Sequence, residues 1–444
     1  MKKTLYLAMI IGMAIHTTYT YAQQLPDSLL PDANLRDCIK YALSHQPVVR
    51  QSMIDEAITE ATIKSKLADW YPQIGLDYNL QHYLQVPTSY FNGSPIKAGV
   101  ANNSTVGFSL TQNLFNRDVL LASRTARDVR RQAKQNTAAN QIDVITNVSK
   151  AYYNVLLTKR QIAVLEEDII RLERSQQDAY NQYQGGIVDK TDYKRANISL
   201  NNAKGQRKTA QEQLNAAYAQ LRQLMGYPTT GELKLVDDTV QMESEVSLDT
   251  AVTVTYENRI EYQLLQTQQR LLQAELTYNK WSFLPSVSAF ANYNAVYLNN
   301  EFSKLYNNNF PNSLFGLRLS VPIFQGTRRI QNIRAAELEL KRADWDFAAL
   351  RSQINTEYTQ AMAAYKSNFY NYTLQRENMQ EAREVYDLIS LQYKEGVKTY
   401  LEVITSETDL RAAQLNYFNA LYEVLSSKID LERALGTLTA NANY

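Results

Sequence analysis

The 444-residue chain has a nearly balanced charge, 46 Lys and Arg against 45 Asp and Glu, which argues against the basic footprint of a nucleic-acid-binding protein. Its single cysteine, Cys38, excludes an internal disulfide framework. Beyond residue 22 only His45 and His82 remain as histidines, and neither lies beside a cysteine or carboxylate at metal-ligand spacing. Without a Gly-rich phosphate loop or a nucleophile elbow, the sequence predicts no enzyme, no metal site and no cofactor.

The first residues are typical of a secretory signal peptide, which we predict to span residues 1–22. Lys2 and Lys3 precede an apolar run of about eleven residues, and Thr20-Tyr21-Ala22 offers a small-x-small cleavage site. No later run approaches the ~18 to 20 apolar residues of a transmembrane helix. If the chain crosses a membrane, we therefore expect it to do so with β-strands.

Two pairs of segments alternate apolar and polar residues, as strands between two environments do. Each run has about nine to twelve residues, the length of a tilted transmembrane strand. The predicted strands lie at about 73–86, 104–115, 286–298 and 313–323. The segments within each pair, 87–103 and 299–312, are predicted to be polar outer loops.

Two long proline-free stretches predict long helices, because an interior proline removes a helix hydrogen bond. Prolines are absent between Pro95 and Pro228 and again after Pro322. We predict helices at about 118–183, 191–224, 327–393 and 399–435. The first and third have about 66 residues, roughly 100 Å at the rise of an α-helix. Their apolar residues recur every three or four positions, which indicates a coiled-coil-like seam.

The chain is also an internal repeat, because its landmarks recur at nearly constant spacing. Pro72 recurs as Pro285, 213 positions later, and Gly107 recurs as Gly316, 209 positions later. Each copy is predicted to run helix, strand, strand, long helix, helix. The predicted units are a first repeat at 23–226, a linker at 227–247, a second repeat at 248–436 and a tail at 437–444. The fold class is mainly α with a membrane β part.

Four strands cannot close a membrane barrel, since about eight is the smallest number that does, and open edges are not tolerated in lipid. The chain must therefore assemble. Two copies would give eight strands and three would give twelve, and the strand count alone does not choose between them.

The ordered set of these features resembles the TolC outer-membrane efflux family over about residues 35 to 436. The resemblance is carried by the duplicated unit, the strand entries at Pro72 and Pro285, and the turn motifs at 186–192 and 396–402. It implies a homotrimer with a twelve-stranded β-barrel in the outer membrane and a twelve-helix α-barrel across the periplasm. The linker would form a band around the helices.

The function implied by the resemblance is a passive exit duct of a tripartite efflux or type I secretion system. Its partners would be a periplasmic adaptor protein, an inner-membrane transporter and outer-membrane lipid. The alternatives are a duct for an exported polypeptide, a general porin and a periplasmic coiled-coil scaffold without a pore. Long helices argue against the porin, and the four alternating strands argue against the scaffold.

The resemblance also implies roles for residues at the two helix-helix turns. Glu402 matches the first acidic position of the pore gate, whereas Thr405 stands where the best-known member has a second acid. Lys398 stands where that member has arginine, and lysine cannot make the same bidentate link to a carboxylate. The implied ties of the gate are Asp192, Tyr393 and Lys398, and the turn glycines that would meet the adaptor are Gly186 and Gly396.

Overall fold

The protein is mainly helical with a small antiparallel sheet. The computed structural model describes residues 32–186, 189–229, 231–236 and 239–438, so the predicted signal peptide and most of the predicted tail lie outside it. The helices are α1 (Leu35–His45), α2 (Pro47–Leu67), α3 (Arg117–Gln184), α4 (Lys190–Met225), α5 (Thr239–Ser244), α6 (Ile260–Lys280), α7 (Arg328–Lys394) and α8 (Tyr400–Leu435).

The sheet has four antiparallel strands in the order β1-β4-β5-β6. Within it, β4 of the first repeat pairs with β5 of the second, so the sheet joins the two halves of the chain. Both edge strands, β1 and β6, have one side without a partner strand. The strands are β1 (Gln73–His82), β4 (Asn102–Phe115), β5 (Ser286–Asn299) and β6 (Asn312–Ser320).

The segment predicted as a polar loop at 87–103 contains a separate hairpin, β2 (Thr88–Phe91) and β3 (Ser94–Lys97). Asn92 and Gly93 form its turn with φ values of 47° and 79°. An Asn-Gly pair adopts these positive φ values readily, so it favours a tight two-residue hairpin turn. The first predicted strand ends at His82 instead of residue 86, because its last pair is with Asn102, the first residue of β4.

The last strand is shorter than predicted, ending at Ser320 rather than residue 323. Pro322 has no backbone N–H to donate to a neighbouring strand, and the paired strand β5 begins at Ser286. The exposed apolar residues Ile323 and Phe324 follow directly, on the way into α7.

The two longest helices have 68 and 67 residues, which at ~1.5 Å per residue gives roughly 100 Å each. Asn116 caps the first of them, α3, by accepting from the Asp118 N–H. The shorter partners α4 and α8 end at Gly226 and Gly436, both in the left-handed conformation that suits glycine at a helix C-terminus. Among the described helices, none is both long and apolar enough to span a bilayer.

The main hydrophobic core lies midway along the long helices, where α1, α3, α4, α7 and α8 meet the linker. Cys38 of α1 is fully buried there, and burial raises the pKa of its thiol to about 12. The linker contacts the chain start through an isolated parallel bridge between Ala33 and Leu235. The Ala33 N–H donates to the Lys234 carbonyl at 2.8 Å, and the Val236 N–H donates to the Ala33 carbonyl at 3.0 Å.

Two partly exposed ion pairs connect the repeats where α3 runs beside the C-terminal part of α8. Lys150 Nζ lies 2.6 Å from Asp430 Oδ1, and Arg433 Nη2 lies 2.6 Å from Asp143 Oδ1. All four side chains are partly exposed, so water screens both pairs.

Candidate pore gate at the helix tips

The two turns that end the long helices carry the residues that the sequence singles out. Gly186 follows α3 and Gly396 follows α7, with φ values of 72° and 76°. In each turn the glycine N–H donates at 3.0 Å to a tyrosine carbonyl, that of Tyr183 or Tyr393. Positive φ costs little for glycine, so the chain can turn at each of these residues, two positions after the helix ends.

Glu402 has two local partners at the start of α8. Its carboxylate accepts from the Thr399 N–H at 2.9 Å while the Thr399 hydroxyl accepts from the Glu402 N–H, a reciprocal capping box. Lys398 Nζ donates to the same carboxylate at 2.7 Å. The hydrogen bonds from Lys398 first, and then from Thr399, lower the pKa of Glu402 to about 2. The carboxylate is therefore ionised at any physiological pH.

Thr405 lies one turn beyond Glu402 on the exposed side of α8, and its hydroxyl donates to the Leu401 carbonyl at 2.9 Å. A spacing of three places both side chains on one face of the helix. In a single chain this face carries one acid, Glu402, followed by a hydroxyl.

The predicted tie residues are only partly brought together within one chain. Tyr393 donates from its hydroxyl to Gln182 Oε1 of α3 at 3.1 Å, which links the tips of the two repeats. Lys398 pairs with Glu402, and within the described residues it has no ion pair with Asp192 in the first turn of α4. The Lys398–Asp192 link stays a prediction for the assembled protein.

Tyr400, which the sequence did not single out, packs the helix turn of the second repeat against the helices of the first. Tyr400 is buried against Ala179 and Ala196 of the first repeat, with Tyr393 and Ile404 beside it. Its ring centroid lies 5.9 Å from that of Tyr393. Small alanines at this position leave room for the ring between α3 and α4. The residue follows Thr399 in the turn motif, but nothing in the motif alone indicates the pocket that receives it.

Further along the helices, away from the tips, a buried charge cluster joins α3 to α8. Asp168 is fully buried and accepts from Arg411 Nη1 at 2.8 Å. Glu407 is also buried, with its Oε1 3.4 Å from Arg171 Nε, yet neither carboxylate oxygen has a hydrogen bond among the described residues. Burial first, and then the charge of Asp168, raise the pKa of Glu407 to about 7. The Arg171 guanidinium also lies 5.7 Å from the Tyr386 ring of α7.

These features define a class of protein: a duplicated chain with an open sheet at one end and paired long helices closed by turns at the other. The profile of the outer membrane efflux protein family matches residues 38–227 and 256–437, and the chain belongs to that family. It is an outer-membrane protein of the efflux type. The described residues contain no cluster of His, Cys, Asp or Glu suited to a metal ion.

Two relatives and one solved structure illustrate the similarity. Outer membrane protein TolC of Escherichia coli (strain K12) is 24% identical over 439 residues, covering 93% of this chain and 84% of that one. Outer membrane protein OprJ of Pseudomonas aeruginosa is 22% identical, covering 92% and 85%. A crystal structure of CusC superposes with a TM-score of 0.74 at 18% identity, covering 92% and 93%. The TM-score shows that the folds are alike.

Proposed function

We propose that the protein is the outer-membrane exit duct of a tripartite efflux system, through which small molecules from an inner-membrane transporter pass without an energy source in the duct itself. One observation carries the proposal: a single chain couples an open four-stranded sheet to helices of roughly 100 Å. In a single chain the four-stranded sheet has two open edges, and the long helices do not by themselves enclose a lumen.

The open sheet supports assembly with further copies of the chain. Its outward face is apolar and exposed, with Ile74 and Leu76 on β1 and Phe315 and Leu317 on β6. An edge with unpaired backbone groups is not tolerated in lipid, so β1 and β6 need partner strands. Three copies supply twelve strands, enough for a barrel with a water-filled lumen.

The helices supply the rest of the duct in this proposal. Three copies of α3, α4, α7 and α8 give twelve helices, which extend the lumen across the periplasm. The turns at Gly186 and Gly396 then lie at the far end, where an adaptor protein of an inner-membrane transporter would dock. Such helices distinguish this duct from a general porin, which is nearly all strand.

The gate would lie where three copies of Glu402 face one another. Three ionised carboxylates attract multivalent cations and repel each other, and Lys398 partly neutralises each of them. Tyr393 and Asp192 would hold the tips closed, with Thr405 one turn further into the lumen.

The native mass of the mature protein, extracted from the outer membrane in mild detergent, tests the proposal. A mass about three times that of the chain is expected. A monomer would leave four strands with open edges in lipid and would overturn the duct. Deletion of the gene tests the cargo: raised sensitivity to drugs or metal ions supports small-molecule efflux, whereas loss of a secreted protein alone would replace it with polypeptide export.

A further inference from the structure

The two hairpins of the sheet have the same register once the spacing of the repeats is applied. In the first hairpin Gln73 of β1 pairs with Thr111 of β4. Adding 213 to the β1 residue and 209 to the β4 residue gives Ser286 and Ser320, which are paired in the β5–β6 hairpin. The repeat therefore extends from the sequence to individual backbone pairs.

The same two offsets can be applied to the strand pair that joins the two repeats, which we call the seam. In one chain, β4 and β5 form this seam, and Ser109 pairs with Asn292. The residues equivalent to these two are Arg318 on β6 and Asn79 on β1, because 109 plus 209 is 318 and 292 minus 213 is 79. These two strands are the unpaired edges of the sheet.

In the assembly put forward under the proposed function, β6 of one protomer lies beside β1 of the next. We propose that Arg318 lies opposite Asn79 of the partner subunit in this contact, and that Arg318 forms an ion pair with Asp77 of the partner subunit. The occupant of each open edge is thus a second copy of this chain. The inference rests on the assembly put forward under the proposed function. It adds the register of the contact between subunits and the residues that hold it.

The charges of the strands complement each other across this contact. Asp77 is the only acidic residue and Arg318 the only Lys or Arg in the four strands of the sheet. Both lie on the polar face of the sheet, and no ion pair is found for either in the described residues. In an antiparallel pair, a residue diagonal to the opposite one lies ~7 to 8 Å away, within reach of a long side chain.

Arg318 is also held near the required place. Its guanidinium carbon lies 5.3 Å from the centre of the Phe290 ring on the neighbouring strand. That ring lies over Gly316, where a Cβ would come within 3.1 Å of it. Phe290 and Arg318 therefore lie on the same face of the sheet.

The apolar face fits the same register. Leu317 would lie opposite Leu80 of the partner subunit, and Leu319 opposite Tyr78 of the partner subunit. In the single chain these four residues, in the order Leu317, Leu80, Leu319 and Tyr78, are 71%, 45%, 63% and 59% exposed. A slip of one residue would place Arg318 opposite Tyr78 or Leu80 of the partner subunit, so that the polar face of one sheet would meet the apolar face of the next. A slip of two keeps the faces, so the experiment must separate registers that differ by two.

Disulfide trapping separates them while both charges stay in place. In a Cys38→Ala background, Leu317→Cys is combined with Leu80→Cys, or with Tyr78→Cys or His82→Cys as the two-residue slips. Directly paired Cα atoms lie ~4.5 to 5.5 Å apart, which suits a disulfide, whereas the slipped pairs are too distant. Covalent dimers and trimers are expected on denaturing gels only with Leu80→Cys.

Two other results of the cross-linking experiment would contradict the proposal. Cross-linking through Tyr78→Cys or His82→Cys instead would overturn this register and leave the trimer intact. A monomeric native mass, with no cross-link from any pair, would overturn the proposed assembly itself.

Charge exchange tests the ion pair. Asp77→Asn and Arg318→Gln should each lower the temperature at which the assembled protein dissociates in detergent, and Arg318→Asp should lower it more. The exchange of Asp77→Arg with Arg318→Asp should recover most of the loss. If the dissociation temperature of the exchanged double variant instead falls by the sum of the losses in the two single charge reversals, the two residues are not coupled and the ion pair is refuted.

Discussion

Glu407 is a carboxyl group in an unusual place, between two long helices that belong to different repeats. The charged and titratable groups facing it are Asp168 and Arg171 from α3, Tyr386 from α7, and Tyr400 and Arg411 from α8. Since its pKa is about 7 in the folded protein and 4.5 in the reference state, the native protein holds a proton that the unfolded chain releases between these values. The contribution of protonated Glu407 to the stability of the folded protein is therefore fully present below pH 4.5 and is lost as the pH rises through 7.

Glu407→Gln should remove this dependence, because glutamine mimics the protonated acid. The full shift from 4.5 to about 7 corresponds to roughly 3 kcal/mol per chain. We expect the variant to melt above the parent protein at pH 8 and close to it at pH 5, followed by circular dichroism. Glu402→Gln is the control, because a pKa of about 2 places its titration outside this range. An equal difference at both pH values would contradict the assignment.

Glu402→Gln also tests the gate, and it does so with little disturbance of the helix. Glutamine can take the same place in the capping box with Thr399, so the substitution removes charge and keeps the cap. Block of the reconstituted channel by multivalent cations should weaken, measured as single-channel conductance. Thr405→Asp, which adds a second acid on the same face, should strengthen the block. Unchanged block in both variants would reject the acidic ring.

At the residue scale, the roles predicted for the gate residues stay predictions, and the structure shows only which local contacts these residues make. The turn motif located Glu402 and Lys398, and their spacing of four residues suits the ion pair that forms. Tyr400 and Glu407 were missed, because the residues that they contact in the first repeat lie on α3 and α4, more than 200 residues earlier in the chain. A local sequence pattern does not indicate which residues from a distant part of the chain will pack against a side chain.

At the scale of elements, the turn glycines are a matched test of backbone conformation. A Cβ added to Gly396 or to Gly205 would meet no other atom within 4 Å, so space does not distinguish the two positions. Gly396 has a φ of 76°, where alanine costs about 1 kcal/mol, whereas Gly205 lies inside α4, where alanine gains about 1 kcal/mol. Gly396→Ala should lower the melting temperature and Gly205→Ala should raise it. A lower melting temperature in both variants would indicate that the added methyl group disturbs a contact at each position, instead of an effect of backbone conformation.

The long helices were the most predictable elements, because the absence of proline and a periodic apolar face extend over more than sixty residues. Their observed ends lie within one residue of the predicted ones. The strands were less predictable at their ends. The Asn92-Gly93 turn signal lay inside a segment that was predicted to be a loop because it is polar. Strand β6 ends early because its partner β5 begins at Ser286 and Pro322 has no backbone N–H to donate.

At the scale of the whole molecule, the ties between repeats differ greatly in expected strength. Removing Lys150 breaks an exposed pair with Asp430, which should cost at most about 1 kcal/mol. Removing Arg411 leaves Asp168 buried with only a long 3.4 Å contact to Arg171, which should cost about 3 kcal/mol. Arg411→Met should therefore lower the melting temperature far more than Lys150→Met. Similar losses in thermal melts would mean that burial does not set the strength of these ties.

Each repeat also returns to its own beginning. A Cβ on Gly226 would lie 2.7 Å from the His45 carbonyl, and one on Gly436 would lie 2.9 Å from the Asn258 carbonyl, so each half closes at an equivalent point. In the proposed trimer, the six halves would form a ring in which every second seam is the β4–β5 seam fused within one chain, and the other seams lie between subunits. The positions equivalent to Arg318 and Asp77 on the fused seam are the uncharged Ser109 and Phe290. The opposite charges stand only where no peptide bond joins the neighbours.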